Sequence, residues 1–356
     1  MSQKERVLSC IGEGRGVTGA GAAVCILIVL LTAGCMGTTA AASQIPVGQA
    51  PAPRIVCLSS DAAELLVIIG AGDHIVGVPE TLIQRQPELL PFLPNIVSVG
   101  DATKPDNERI LALKPDIVMF VSRWRPATAD IWGVSGIRLM PVESHNAADL
   151  PLIARQFGQL TGHHQRAEEY AVFCEEITGL VSNRLDAADP ARPRVYIESY
   201  TDFVPFGNVS AAESLIRTLH ARSISGQIFF NATRVSSEWV VNQDPDFIIK
   251  MVIPDDTKTL ESEHARVLKR EGVAWLTATR GGQVHVFNGN LLFSAQAHVG
   301  MVFMAKTLHP EQFADICPEE YLQEYADRFL PGVDERQTMH PVPWQACQNR
   351  QGSDPS

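Results

Sequence analysis

Arg123-Trp124-Arg125 sets two guanidinium groups either side of an indole. A guanidinium grips carboxylate or chelate oxygens through paired N–H donors, and an aromatic ring offers a flat apolar face. Ser60 follows a short apolar run in the first half of the chain. Tyr200, Phe203, Phe206 and Arg234 follow or flank such runs in the second half, and Phe293 comes near its end. These residue types suit the capture of an anionic, partly aromatic small molecule. For each of them a plain surface loop or apolar lid is the competing reading, and Trp239 suits a core position better. The ten histidines do not cluster: His163-His164 starts a helix and is expected to face solvent, and His285 alternates in a strand. There is no HExxH and no triplet spaced for zinc, so neither a bare metal ion nor a cofactor is expected. G-x-S-x-G, a P-loop and a G-x-G-x-x-G after a strand are also missing, which disfavours an enzyme.

The elements that must position these residues read as α/β units. Arg54-Ile-Val-Cys-Leu58 is a buried strand, Ser59-Ser60-Asp61 a polar turn and Ala62–Ile69 a helix, followed by a second strand at His74–Val78. Strand, turn, helix, strand is the opening of a parallel sheet, and ligands sit at the carboxyl ends of such strands. Ile117–Val121 opens in the same way into the Arg123–Arg125 loop, and Arg194–Glu198 into Ser199–Gly207. Between the two halves lies His163–Leu185. Ala167, Tyr170, Cys174, Ile177, Val181 and Leu185 draw one apolar stripe along it at helical spacing. At 1.5 Å per residue that helix is roughly 35 Å long, enough to span two lobes. Taken alone, it reads equally well as an ordinary surface helix. The flanking chain repeats itself, however: Glu108 to Lys114-Pro115-Asp116-Ile117 and Glu238 to Asp244-Pro245-Asp246-Phe247 share an acidic start, a short helix, a Pro-Asp break and a buried strand without a gap.

The chain has 356 residues, 45% hydrophobic and 19% charged, enough for two cores. A net charge of −11 gives no electrostatic footprint for nucleic acid. Residues 1–35 begin with Lys4, Arg6 and Arg15, run apolar from Val17 to Leu31, and end in Leu-Thr-Ala-Gly-Cys35. This resembles a lipoprotein signal cut ahead of a lipid-bearing Cys35; the alternative is an uncleaved membrane anchor. Either would hold the protein at the outer face of the cell membrane. Residues 36–53 read as a flexible tether. Of the seven cysteines, Cys57 and Cys174 read as core, and Cys317 with Cys347 is the one pairing to consider.

From about Arg54 to Pro310 the chain resembles the helical-backbone, class III substrate-binding proteins of ABC importers, which deliver cobalamin, ferric siderophores or haem. The resemblance rests on Arg54-Ile-Val, Glu64-Leu65, Gly70-Ala-Gly-Asp73 and Val76-Gly-Val78. It rests further on Asn107-Glu-Arg-Ile to Lys114-Pro-Asp116, where Asn107 stands one residue short of the usual spacing, and on Ser236-Ser-Glu238 to Asp246. It implies an α/β fold of two Rossmann-like lobes with central sheets, 54–143 and 191–310. Helices at 144–190, including a backbone helix at 163–187, would join them, and residues 311–356 would form an extension outside the core pattern. It implies a monomer that meets a permease and its ATPase, docking through Glu108 and Glu213, although either glutamate also suits the positive end of its own helix. A sensor or scaffold lipoprotein on the same fold is the alternative function. The Arg-Trp-Arg loop favours an anionic ferric complex, whereas the aromatics are neutral between that and a corrinoid.

Overall fold

The computed structural model describes residues 52–227, 233–255, 257–333 and 340–346. Two wholly parallel sheets organise them. In the first lobe β1 (Ile55–Cys57), β2 (Ile75–Val78), β3 (Val97–Ser98), β4 (Ile117–Val121) and β5 (Arg138–Val142) lie in the order β3-β2-β1-β4-β5. In the second, β6 (Arg194–Glu198), β7 (Arg222–Ser223), β8 (Phe247–Val252) and β9 (Val284–Asn288) lie in the order β7-β6-β8-β9. Parallel pairing needs a crossover between neighbours. The first lobe supplies it with α1 (Ser60–Ile68), α2 (Glu80–Arg85), α3 (Asn107–Ala112) and α4 (Ala129–Val134). The second supplies it with α7 (Ala211–Thr218), α8 (Ser237–Gln243), α9 (Leu260–Leu268) and α10 (Thr277–Arg280), and β9 leads into α11 (Gly289–Phe293). The two-lobed α/β architecture expected from the sequence is therefore the one observed.

The Pro-Asp repeat has a common physical basis in the two lobes. The Asp116 carboxylate accepts from the Arg54 amide at 2.7 Å, and the Asp246 carboxylate accepts from the Arg194 amide at 2.7 Å. Each aspartate thus ties the break to the start of its lobe's first strand. The arginines answer in kind: Arg54 donates to the Leu113 carbonyl and Arg194 to that of Asp244. Lys114 and Asp244, the residues before the two prolines, both take positive φ, which turns the chain from helix to strand without a longer loop.

α5 (Leu150–Thr161) and α6 (His164–Ala188) connect the lobes, with Gly162 between them at φ +81. All six residues of the apolar stripe on α6 are buried, and Phe173 and Ala171 widen it. α12 (Ala297–Leu308) and α13 (Pro318–Phe329) pack on the rod as well. α13 lies in the extension beyond residue 310, and its Leu322, Tyr325 and Phe329 are buried; Phe329 packs edge-on against Tyr170 and Phe173 of the rod. Arg184 of the rod forks onto Asp315. Cys57 and Cys174 are buried thiols; Cys35 and Cys347 lie outside the described residues, so the Cys317–Cys347 pairing does too. Among the described residues no helix is long and apolar enough to cross a membrane.

The two connecting helices cross closely at Gly158. A methyl group there would stand 2.5 Å from the Ala167 methyl and 3.1 Å from the His163 carbonyl. Gly158→Ala should therefore destabilise the protein by about 1–3 kcal/mol, the usual penalty of overpacking. Equilibrium unfolding reads this directly, and wild-type stability in the variant would show that the crossing is loose.

Candidate binding cleft

Lobe one presents its groups where β1 and β4 end. Ser59 caps α1 by accepting from the Ala62 amide at 3.3 Å, so Ser60 and Asp61 form the first turn of that helix. Arg123 lies in the short turn after β4. Its guanidinium stands 4.9 Å over the Trp124 ring, donates to His145 Nε2 at 3.0 Å and attracts the Asp61 carboxylate. Burial pushes the Asp61 carboxyl up to about 7, against the opposing pull of Arg123. Burial, with Arg123 adding to it, holds His145 below its ordinary value, so its ring is neutral at neutral pH. Trp124 is 57% exposed. Arg125 is bound to Asp130 at 2.6 Å on the exposed side of the loop.

Lobe two answers with an aromatic wall. Tyr200 packs edge-on to Phe206 with ring centroids 6.4 Å apart, and Phe206 meets Phe293 at 5.2 Å. Tyr200 can lie flat on the chain because residue 289 is glycine: a β-carbon there would come within 2.5 Å of its ring. Burial and then the charge of Asp61 raise the Tyr200 phenol, so this residue of lobe two feels a carboxylate of lobe one. The Asp61–Arg123 pair of lobe one thus lies near Tyr200 of lobe two, which continues through Phe206 to Phe293.

Two other sequence candidates lie elsewhere in lobe two. Phe203 has φ +58, donates its amide to Glu198, lies under the Arg270 guanidinium at 4.8 Å and packs with Tyr196 and Val240. Arg234 is exposed beside Val235, whose amide bonds to the Phe203 carbonyl. Trp239 is half-buried and packs against Tyr196. Sequence reasoning passed over His145 and included Asp61 only as part of the polar turn at the end of β1, singling out Ser60 from it.

The loop that carries Tyr200 is held by a buried charge cluster, also missed. Glu198 and Lys250 end up inside the lobe, 0% and 1% exposed. Lys250 Nζ lies 2.9 Å from Glu198 and donates to the Ser199 carbonyl at 2.6 Å. Arg270 binds both Glu198 and Asp202, and Arg266 closes onto Asp202 and Glu263. Hydrogen bonding from Arg266 holds the Asp202 carboxyl far below the usual aspartate range.

The two glutamates assigned to docking differ. Glu108 is exposed in the first turn of α3. Glu213 is half-buried in the first turn of α7 against Gly226, and its Oε2 is buried without a hydrogen-bond partner among the described residues. Glu238, counterpart of Glu108 in the repeat, is exposed.

Asp61 gives the cleft a pH signature. Its carboxyl holds a proton more tightly in the folded protein than at its ordinary value of 3.8. Its contribution to stability is full below that value and is lost as pH rises through about 7. Asp61→Asn should therefore match the wild type near pH 4 and exceed its melting temperature above pH 7. Parallel profiles across that window would contradict the assignment.

The family described as periplasmic binding protein matches residues 55–290. A cobalamin-binding protein of Halobacterium salinarum is 24% identical over 246 residues, which make up 67% of this chain and 63% of that protein. This chain thus spans less than two thirds of that relative. Among solved structures, the TroA-like periplasmic binding protein FepB of Veillonella parvula superposes with a TM-score of 0.69 at 22% identity, covering 83% of this chain and 95% of the other. A periplasmic haem-binding protein of Pseudomonas aeruginosa gives 0.60 at 22%, covering 73% and 94%. These structural likenesses speak to the fold. With the family match running from β1 to the start of α11, the chain belongs to the periplasmic binding protein family.

Proposed function

We propose that this chain is an extracytoplasmic solute-binding protein, held at the membrane by lipid on Cys35. In this reading it captures a chelated iron complex, siderophore-like or haem, or a corrinoid, and passes it to an ABC permease. The observation that carries the reading is the pairing of Asp61 and Arg123 on lobe one with the Tyr200–Phe206–Phe293 wall on lobe two. A macrocycle or catecholate chelate has flat apolar faces and charged or polar edges, and these residues offer a partner for both. The relatives named for cobalamin and haem share that ligand chemistry. Release to a permease calls for cleft adjustments that leave the rod intact, and a tether keeps the loaded protein close to its target. Glu108 and Glu213 are the docking pair in this account. An exposed charge such as Glu108 steers and orients more than it adds affinity.

Ligand binding should quench the exposed Trp124. Titrating the form that begins at Met36 with cobalamin, haemin and ferric siderophores should produce saturable quenching by one of them, absent in Trp124→Phe. Arg123→Ala should weaken that binding by at least about tenfold, the scale of a lost charge-assisted hydrogen bond. Indifference to all three ligand classes would overturn the reading. The double change Glu108→Ala, Glu213→Ala should leave the titration unchanged and abolish cellular uptake; weakened titration would instead assign those glutamates to the cleft or to folding.

A further inference from the structure

At the other end of the first sheet from the cleft, three side chains far apart in sequence converge. Asp73 and His74 form the turn between α1 and β2, before β2 begins, whereas Asp61 and Arg123 follow the ends of β1 and β4. His163 is the cap residue of the rod α6. Each of Asp73, His74 and His163 offers one ligand atom, and all three atoms lie within 4.8 Å of one another. The two imidazoles meet edge to face with centroids 5.4 Å apart, and His163 is half-buried rather than solvent-facing.

A backbone carbonyl supports each ring. His74 Nδ1 lies 3.1 Å from the Pro53 carbonyl, and His163 Nδ1 lies 3.1 Å from the Thr161 carbonyl. A carbonyl only accepts, so each ring carries its proton on Nδ1 and leaves the Nε2 lone pair free. A backbone carbonyl behind the ring is the usual second support of a metal-bound histidine. His74 Nε2 stands 3.9 Å from the Asp73 carboxylate, which is 66% exposed, so the site opens to solvent. Tetrahedral ligands at about 2.05 Å from a metal are roughly 3.3 Å apart, a separation that side-chain rotations of under 2 Å would reach here.

We infer that Asp73, His74 and His163 form a binding site for a borderline divalent transition ion, of which Zn²⁺ is the best fit, separate from the ligand cleft. Two imidazoles and one carboxylate favour such an ion over Ca²⁺ or Mg²⁺, and water would complete the shell. The ion would staple the start of the rod to lobe one beside the point where the chain arrives from residue 53. Its role is structural, and the inference does not depend on which solute the cleft takes. No spacing cue marks the site in the chain, because His163 lies on a different element from Asp73-His74.

The test uses the full-length protein in mild detergent, without a histidine tag and stripped with chelator. One Zn²⁺ per chain should bind, and a hundredfold excess over Kd should raise the melting temperature by about 5 °C. Co²⁺ should bind at the same site and develop the visible absorption of a nitrogen- and oxygen-ligated ion. His163→Gln should melt with the wild type in chelator and lose both responses, whereas His164→Gln, changed at the exposed neighbour, should keep them. Asp73→Asn provides a second loss-of-site variant that leaves the packed rings in place. An unchanged Zn²⁺ response in His163→Gln and Asp73→Asn, or no binding by the wild type up to about 1 mM Zn²⁺, would overturn the assignment.

Discussion

The buried carboxyl group of Glu64 is the point on which the relation of the two lobes depends. It sits in α1 of lobe one, 2% exposed. Oε1 accepts from Ser294 at the end of lobe two at 3.2 Å and from Tyr325 of α13 at 3.5 Å, and Oε2 accepts from Gln86 at 3.4 Å. A carboxyl group taken out of water is costly unless its partners stay in place, so this seam resists sliding. One step along the chain, the Ala295 carbonyl accepts from Tyr170 of the rod at 2.8 Å. Rod, lobe one and lobe two therefore meet at one buried polar joint, and α13 caps it through the Tyr325, Phe329 and Phe173 rings.

That joint ties the two small sheets to one relative placement. Wide hinge motion would have to strip Glu64 of its donors and pull Tyr170 from Ala295. Small shear or loop adjustment needs neither. On the lobe-two wall, rigidity has a second source in the Glu198–Lys250–Asp202–Arg270 cluster, which anchors the residues either side of Tyr200. Buried ion pairs contribute little net stability, but losing one partner leaves an uncompensated charge. They therefore specify the loop conformation more than they strengthen the fold. The cleft combines an aromatic face with Asp61, whose carboxyl is raised by burial against the pull of Arg123.

Much of this was legible in the chain. The apolar stripe of α6, the polar turn after β1 and the doubled Pro-Asp break are local patterns, and local patterns report which face of an element is buried. What they do not report is the partner across the interface. Glu64 reads as part of a Glu-Leu helix motif, and its seam with Ser294 spans elements from opposite halves of the fold. Lys250 inside the apolar strand Phe247–Val252 and Glu198 ending Arg194–Glu198 were visible anomalies, since a charge in a buried strand needs a partner. Phe203 and Phe206 look equivalent in sequence, but the left-handed backbone at Phe203 turns the first onto Arg270 and leaves the second with Tyr200 and Phe293. Helix α13 lies outside the two-lobe repeat because its apolar residues serve the rod rather than a lobe core.

The most direct test of the seam is a double-mutant cycle between Glu64→Gln and Ser294→Ala, read by equilibrium unfolding. A buried hydrogen bond joining the lobes predicts a coupling energy of about 1 kcal/mol or more between the two positions. Additivity within about 0.3–0.5 kcal/mol would mean that the two side chains do not meet in solution, and the fixed separation of the cleft walls would lose its support.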